Sequence, residues 1–164
     1  MKLNRKFKYP PCSRSSTDGL RHYDIGKQKL PSVTTILQAT MPEEKRQKLA
    51  EWRERVGAKK ADDIRDSAAT RGTAMHLHLE KYIAGKGHLD MTEMGQVSRI
   101  MAQKVIDEGL KEQLTEVWGS EVTLYYPNLY AGATDVVGIY NSRESIIDFK
   151  QSNKPKRREW IEDY

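Results

Sequence analysis

The 164-residue chain has a single cysteine, Cys12, so neither a disulfide framework nor a cysteine-held zinc or iron–sulfur site can form within one copy of it. That usage fits a reducing compartment, and a cytoplasmic location is expected. No run of about 18 apolar residues exists, so no membrane span is expected. The first eleven residues are basic but carry no apolar stretch after the charges, which does not read as a secretory signal. Internal repeats and low-complexity tracts are also lacking. What is left is a length that suits one domain with a real core.

Acidic residues are scarce at the start of the chain. Residues 1–60 hold fifteen Lys/Arg against six Asp/Glu, whereas residues 61–147 hold eight against thirteen. A basic first third beside an acidic middle fits a polyanion-binding surface next to a cation-binding pocket. The same unevenness also suits an ordinary solvated surface.

Residues 1–20, with Pro10-Pro11 and a Ser/Thr run to Gly19, read as a loose basic arm with at most a short strand; residues 21–164 read as the folded domain. A short hairpin is expected around Gly26, and Ser32 is a plausible N-cap for a helix carrying Val33, Ile36 and Leu37. Thr40-Met41-Pro42-Glu43 predicts a helix start capped by Thr40, running to about Val56 with Leu49, Trp52 and Val56 as its apolar stripe. Two more helices are predicted over 60–84 and 92–108. After Gly109 the period shifts toward 2, and strands are expected at Val117–Tyr126, Leu129–Tyr140 and Ser145–Gln151, with turns at Pro127-Asn128 and Asn141-Ser142. A further helix is expected from about Lys156.

Within this frame stands Asp135, followed thirteen residues later by Asp148-Phe149-Lys150. On a strand, residues i and i+2 share a face, so Asp148 and Lys150 would project together. Two carboxylates and an ammonium on adjacent strands are costly as structure alone, and a divalent cation between the acids would explain them. The bland alternative is a plain Asp135–Lys150 pair. Lys150 beside a metal could position or deprotonate an attacking water. Glu121 on the preceding strand could reach a second cation or a water ligand, or simply face solvent. His76 could be a ligand, or a surface imidazole bonded to Glu80 four residues on. His78 points elsewhere and reads as bland. Arg71 could bind a phosphate or brace the acidic centre. Lys154, Lys156 and Arg157 flank the Asp-x-Lys segment, and with Tyr125, Tyr126, Tyr130 and Trp160 they could grip a single strand by phosphate contacts and base stacking. The aromatics could equally belong to the core.

Arg71-Gly72-Thr73-x-x-His76, Asp135 and Asp148-Phe149-Lys150-Gln151-Ser152-Asn153-Lys154-Pro155 together resemble the PD-(D/E)xK nuclease superfamily. The likeness is to its RecB-like branch, and in that branch to the mitochondrial genome maintenance exonuclease type, which also occurs in phages. Leu30-Pro31-Ser32-Val33-Thr34-Thr35-Ile36-Leu37 and the basic Trp-containing helix after it are similar to that subgroup as well. The resemblance implies an α+β, restriction-endonuclease-like core, with N-terminal helices followed by a mixed, mainly antiparallel sheet. It implies a Mg²⁺- or Mn²⁺-dependent DNA exonuclease acting on single-stranded ends, with no iron–sulfur cluster. His76, Asp135, Asp148 and the carbonyl of Phe149 would hold metal, and Lys150 would be catalytic. The alternatives are an inactive nucleic-acid-binding subunit or a structure-specific endonuclease. Members of this group continue past the Asp-x-Lys strand with a further helix and strand, so the fold is expected to be incomplete here. A second chain or a homo-oligomer would then supply the rest.

Overall fold

The computed structural model describes residues 1–152. The expected helix from Lys156, and Lys154, Lys156, Arg157 and Trp160 with it, lie outside the described residues.

The first 31 residues form strands: β1 (Lys2–Leu3), β2 (Cys12–Thr17), β3 (Leu20–Ile25) and β4 (Gln28–Pro31). Two of these fall in the segment expected as a loose arm. β2 pairs with β3, and contacts with residues more than a hundred positions away hold the segment that follows β1. The Asn4 N–H bonds the Val117 carbonyl at 2.8 Å. Asn4 Nδ2 and Trp118 Nε1 both donate to Glu116 Oε1 at 2.6 Å. Lys6 and Phe7 then cover the Trp118 ring. The hairpin around Gly26 forms as expected and joins β2 in a three-stranded antiparallel sheet.

Four α-helices follow among the described residues: α1 (Val33–Ala39), α2 (Glu43–Val56), α3 (Ala58–Ile83) and α4 (Glu93–Val105). Ser32 caps α1 by accepting the Thr35 N–H at 2.9 Å. Thr40 does not cap α2. Its hydroxyl turns back to the Ile36 carbonyl at 2.9 Å, closing the end of α1, and Pro42 takes the N-cap position. Arg46 then bonds the carbonyls of Gln38, Ala39 and Met41, satisfying the end of α1. The expected α2 stripe does not reach a core, since no residue of α2 is buried and Leu49 is 54% exposed. Gly57, at φ +84°, sets the break between α2 and α3.

Thr92 caps α4, accepting the Gly95 N–H at 3.0 Å. This helix runs into a π-helical turn over Ile106–Leu110, in which the Lys111 N–H bonds the Ile106 carbonyl at 2.9 Å.

The main sheet comprises β1, β5 (Leu114–Tyr126), β6 (Tyr130–Tyr140) and β7 (Arg143–Ile147), in the order β1-β5-β6-β7. Only the β1–β5 pairing is parallel, so the sheet is mixed and mainly antiparallel. Asn141 and Ser142 both have positive φ, the signature of the two-residue turn that matches strand twist between β6 and β7. A bulge in β5 lets Gly138 approach so closely that a Cβ there would meet the Glu116 carbonyl oxygen at 2.1 Å. The core forms where Met75, Leu79 and Ile83 of α3 meet Ala102 of α4, Ile106 and Leu110 of the π turn, and Val117 and Val136 of the sheet. The arrangement is α+β and compatible with a restriction-endonuclease-like core. No described helix is long and apolar enough to cross a membrane.

Candidate active site

β6 changes neighbours along one edge. Its upper half pairs with β7 as far as Val136↔Ile147, and lower down Ala131 bridges to Ser32. Between these points no strand of the described residues lies against that edge, and side chains take over the ladder. The Tyr23 hydroxyl accepts the Ala133 N–H at 3.3 Å, and Thr134 Oγ1 donates to the Ile147 carbonyl at 3.2 Å. Asp135 Oδ2 accepts the Phe149 N–H. This substitution explains why β7 ends at Ile147 and not at Gln151. The Asp-x-Lys segment leaves the sheet because a carboxylate occupies its place in the ladder.

Asp135 is 8% exposed, and its other oxygen meets His76 Nδ1 at 3.0 Å. His76 reaches it from α3, one residue along from the buried Met75–Leu79–Ile83 stripe. Sequence spacing offered Glu80 as the partner of His76, but Glu80 pairs with Lys81. Glu121 lies in β5 between the pairs Ser120↔Val136 and Val122↔Thr134, which sets it across from Asp135. Its φ of +53° is rare for a residue with a side chain and costs about 1–2 kcal/mol relative to an extended backbone.

Ligand atoms of His76, Glu121 and Asp135 all lie within 4.8 Å of one another, the one such group among the described residues. Asp148 stands outside it and pairs with Lys150, whose side chain is 72% exposed. The Phe149 ring packs edge-on to His76 at 6.1 Å, and its carbonyl lies against the imidazole. Arg71 Nε donates to Gln151 Oε1 at 3.2 Å, and Gln151 Nε2 donates to the Ala68 carbonyl at 3.3 Å. These two bonds tie the segment after β7 to α3. In the sequence Gln151 stands at the end of an expected strand and in the Asp-x-Lys motif, but nothing there points to its bonds with α3. His78, read as bland, is buried beside His88 with ring centroids 4.5 Å apart.

His76, Glu121 and Asp135 shift one another's protonation. The hydrogen bond to Asp135 raises the His76 pKa against the opposing effect of burial. Burial raises that of Glu121, and the Asp135 charge adds to it. For Asp135 burial also pushes upward, but bonds from His76 and the Phe149 N–H, with the charges of His76 and Lys150, outweigh it and hold the carboxyl below its ordinary value. An imidazole with two carboxylates suits a divalent cation of the Mn²⁺ or Mg²⁺ type, the nitrogen favouring Mn²⁺.

Comparison with known proteins bears on what such a site does. Over 137 residues, 77% of the chain, it is 31% identical to mitochondrial genome maintenance exonuclease 1 of Xenopus tropicalis. The same protein of Mus musculus is 30% identical over 140 residues, or 80% of the chain. Its distant relatives are exonucleases. The chain spans only 37% and 40% of their respective lengths. No family model matches.

Proposed function

We propose that this chain is a divalent-metal-dependent deoxyribonuclease of the PD-(D/E)xK type, acting as an exonuclease on single-stranded DNA ends. The observation that carries the reading is the His76–Glu121–Asp135 donor set beside an Asp148–Lys150 pair, in a chain whose distant relatives are exonucleases. His76, Glu121 and Asp135 would hold Mn²⁺ or Mg²⁺, with the Phe149 carbonyl and Asp148 at the margin. When bound, the cation polarises the scissile phosphate and acidifies a water. Lys150 projects into solvent from the segment that Asp135 anchors, where it orients the attacking water and balances charge building on the phosphate. Asp148 holds the ammonium in place until substrate arrives. Arg71, through Gln151, keeps the Asp-x-Lys segment against α3, and Lys154, Lys156 and Arg157 follow it in sequence as phosphate contacts.

The test is digestion of end-labelled linear and covalently circular single-stranded DNA with Mn²⁺, Mg²⁺ or EDTA. Linear DNA should be degraded only with metal and the circle spared. Asp148→Ala should abolish cleavage and keep DNA binding, and Lys150→Ala should slow it by about 10²- to 10⁴-fold. Cutting of the circle would favour an endonuclease, and DNA binding without cleavage would favour a non-catalytic subunit. Cleavage that survives both Asp148→Ala and Asp135→Asn would remove the proposed site.

A further inference from the structure

We propose that the cavity between α3, α4 and the loop joining them is a phosphate-binding site, with His78 at its floor and Lys86, His88 and Arg99 around it. None of these residues belongs to the metal cluster, so the site stands apart from the nuclease reading.

α3 contributes His78 and Tyr82, one turn apart, and α4 contributes Arg99. Lys86 and His88 come from the loop between the two helices, which is held at both ends. The Lys86 N–H bonds the Lys81 carbonyl at 2.8 Å. Asp90 Oδ1 accepts the Thr92 N–H at 2.9 Å and the Thr92 hydroxyl at 2.7 Å. The cavity measures about 240 Å³, below the ~300 Å³ at which pockets for drug-sized ligands begin, so it suits a small group.

His78 is the deciding residue. It is 7% exposed, and its Nε2 is buried without a hydrogen-bond partner among the described residues. A buried polar atom left unpaired lowers stability, and native proteins keep few of them. The His88 ring packs edge-on against the imidazole, but it gives Nε2 no nitrogen or oxygen partner.

Charge selects an anion. No carboxylate lines the cavity, and neither Lys86 nor Arg99 has an ion-pair partner among the described residues. Asp90 is the acid whose field reaches both histidines, and Thr92 engages it outside the lining. Two imidazoles alone would suit a transition metal, but an ammonium and a guanidinium beside them repel a cation. Phosphate fits the donors best. It offers oxygens to the lysine and to the arginine fork together. Its monoprotonated form both donates and accepts, so it can meet Nε2 in either tautomer of the imidazole. His76 and His78 are two positions apart on α3, about 200° around the helix, which puts the cavity on the far side of α3 from the metal cluster.

The experiment is calorimetric titration of the whole chain in EDTA, at fixed ionic strength, with inorganic phosphate, dTMP or thymidine. Phosphate and dTMP should bind at one site and thymidine should not. Lys86→Gln/Arg99→Gln should weaken phosphate binding roughly 10- to 100-fold, the loss expected for a charge-assisted bond. His78→Phe keeps a ring and removes Nε2, and it should weaken binding as well; a histidine that serves only as packing predicts no change. His76→Ala should bind phosphate like the wild type. Tighter binding of dTMP than of inorganic phosphate would support the site with nucleotide or strand ends as its source, and the reverse order would support it with free phosphate. Failure of both to bind would overturn the site, with or without Zn²⁺ held by the histidine pair. So would full affinity in Lys86→Gln/Arg99→Gln, or affinity lost only with His76→Ala.

Discussion

Replacing Glu121 with glycine should make the metal-free protein more stable and the metal-bound protein less so. Glu121 holds φ at +53°, where a side chain costs about 1–2 kcal/mol. Glycine removes that cost but gives back about 0.5–1 kcal/mol through its freer unfolded chain. The variant also relieves the repulsion that Asp135 exerts on the neighbouring carboxylate. The net gain in EDTA is about 1 kcal/mol, which is about 2–4 °C in Tm for a chain of this size. In Mn²⁺ the order should reverse. Cation at about a hundred times its Kd would stabilise the wild type by about 2.7 kcal/mol, and the variant would lack one of the three proposed ligands. Glu121→Ala separates the causes, because it removes the carboxylate and keeps the strained backbone. Urea unfolding with EDTA and with Mn²⁺ measures all three proteins. If Glu121→Gly is the less stable protein in EDTA, or if Mn²⁺ raises the midpoints of wild type and variant equally, the strained residue is not a metal ligand and the argument fails.

Two further outcomes follow from other parts of the fold. Gly138→Ala forces a Cβ against the Glu116 carbonyl, whose backbone must move, and should cost about 1–3 kcal/mol in urea unfolding; an unchanged midpoint would mean that the bulge relaxes freely. Bonds from Asn4 and then Trp118 hold the Glu116 carboxyl below its ordinary range, so its stabilising contribution is complete above that range and lost as pH falls through the depressed value. Glu116→Gln should therefore lower Tm at neutral pH and match the wild type in strong acid, and a constant difference across the series would show that the bonds do not depend on charge.

The sequence was most legible where one local rule decides. Ser32, the end of α2 at Val56 and the Asn141-Ser142 turn fall where capping and turn chemistry put them, and α3 covers the helix expected over 60–84. Rules competed at Thr40, a good start signal for α2 that is used instead to close α1. β1 was hidden because it and the residues after it are held by positions more than a hundred residues away, such as Glu116 and Trp118, whereas β2 pairs with the neighbouring β3. At the site, the residue types were readable but their grouping was not. Alternation set Asp148 and Lys150 on one face of a strand, but β7 ends before them and they pair outside the sheet; it could not show that Asp135 displaces β7 or that Glu121 turns to a positive φ to meet it. Both are tertiary events at a single pair of residues.

The gap in the β6 edge has a bearing on solubility. A stretch of strand with unpaired backbone groups is an invitation to a strand from another molecule. Here the hydroxyls of Tyr23 and Thr134 and the Asp135 carboxylate occupy that edge, and a buried charge is among the most effective barriers to strand addition. The opening that brings Asp135 to His76 and Phe149 is thus closed to a neighbouring chain by the same side chain.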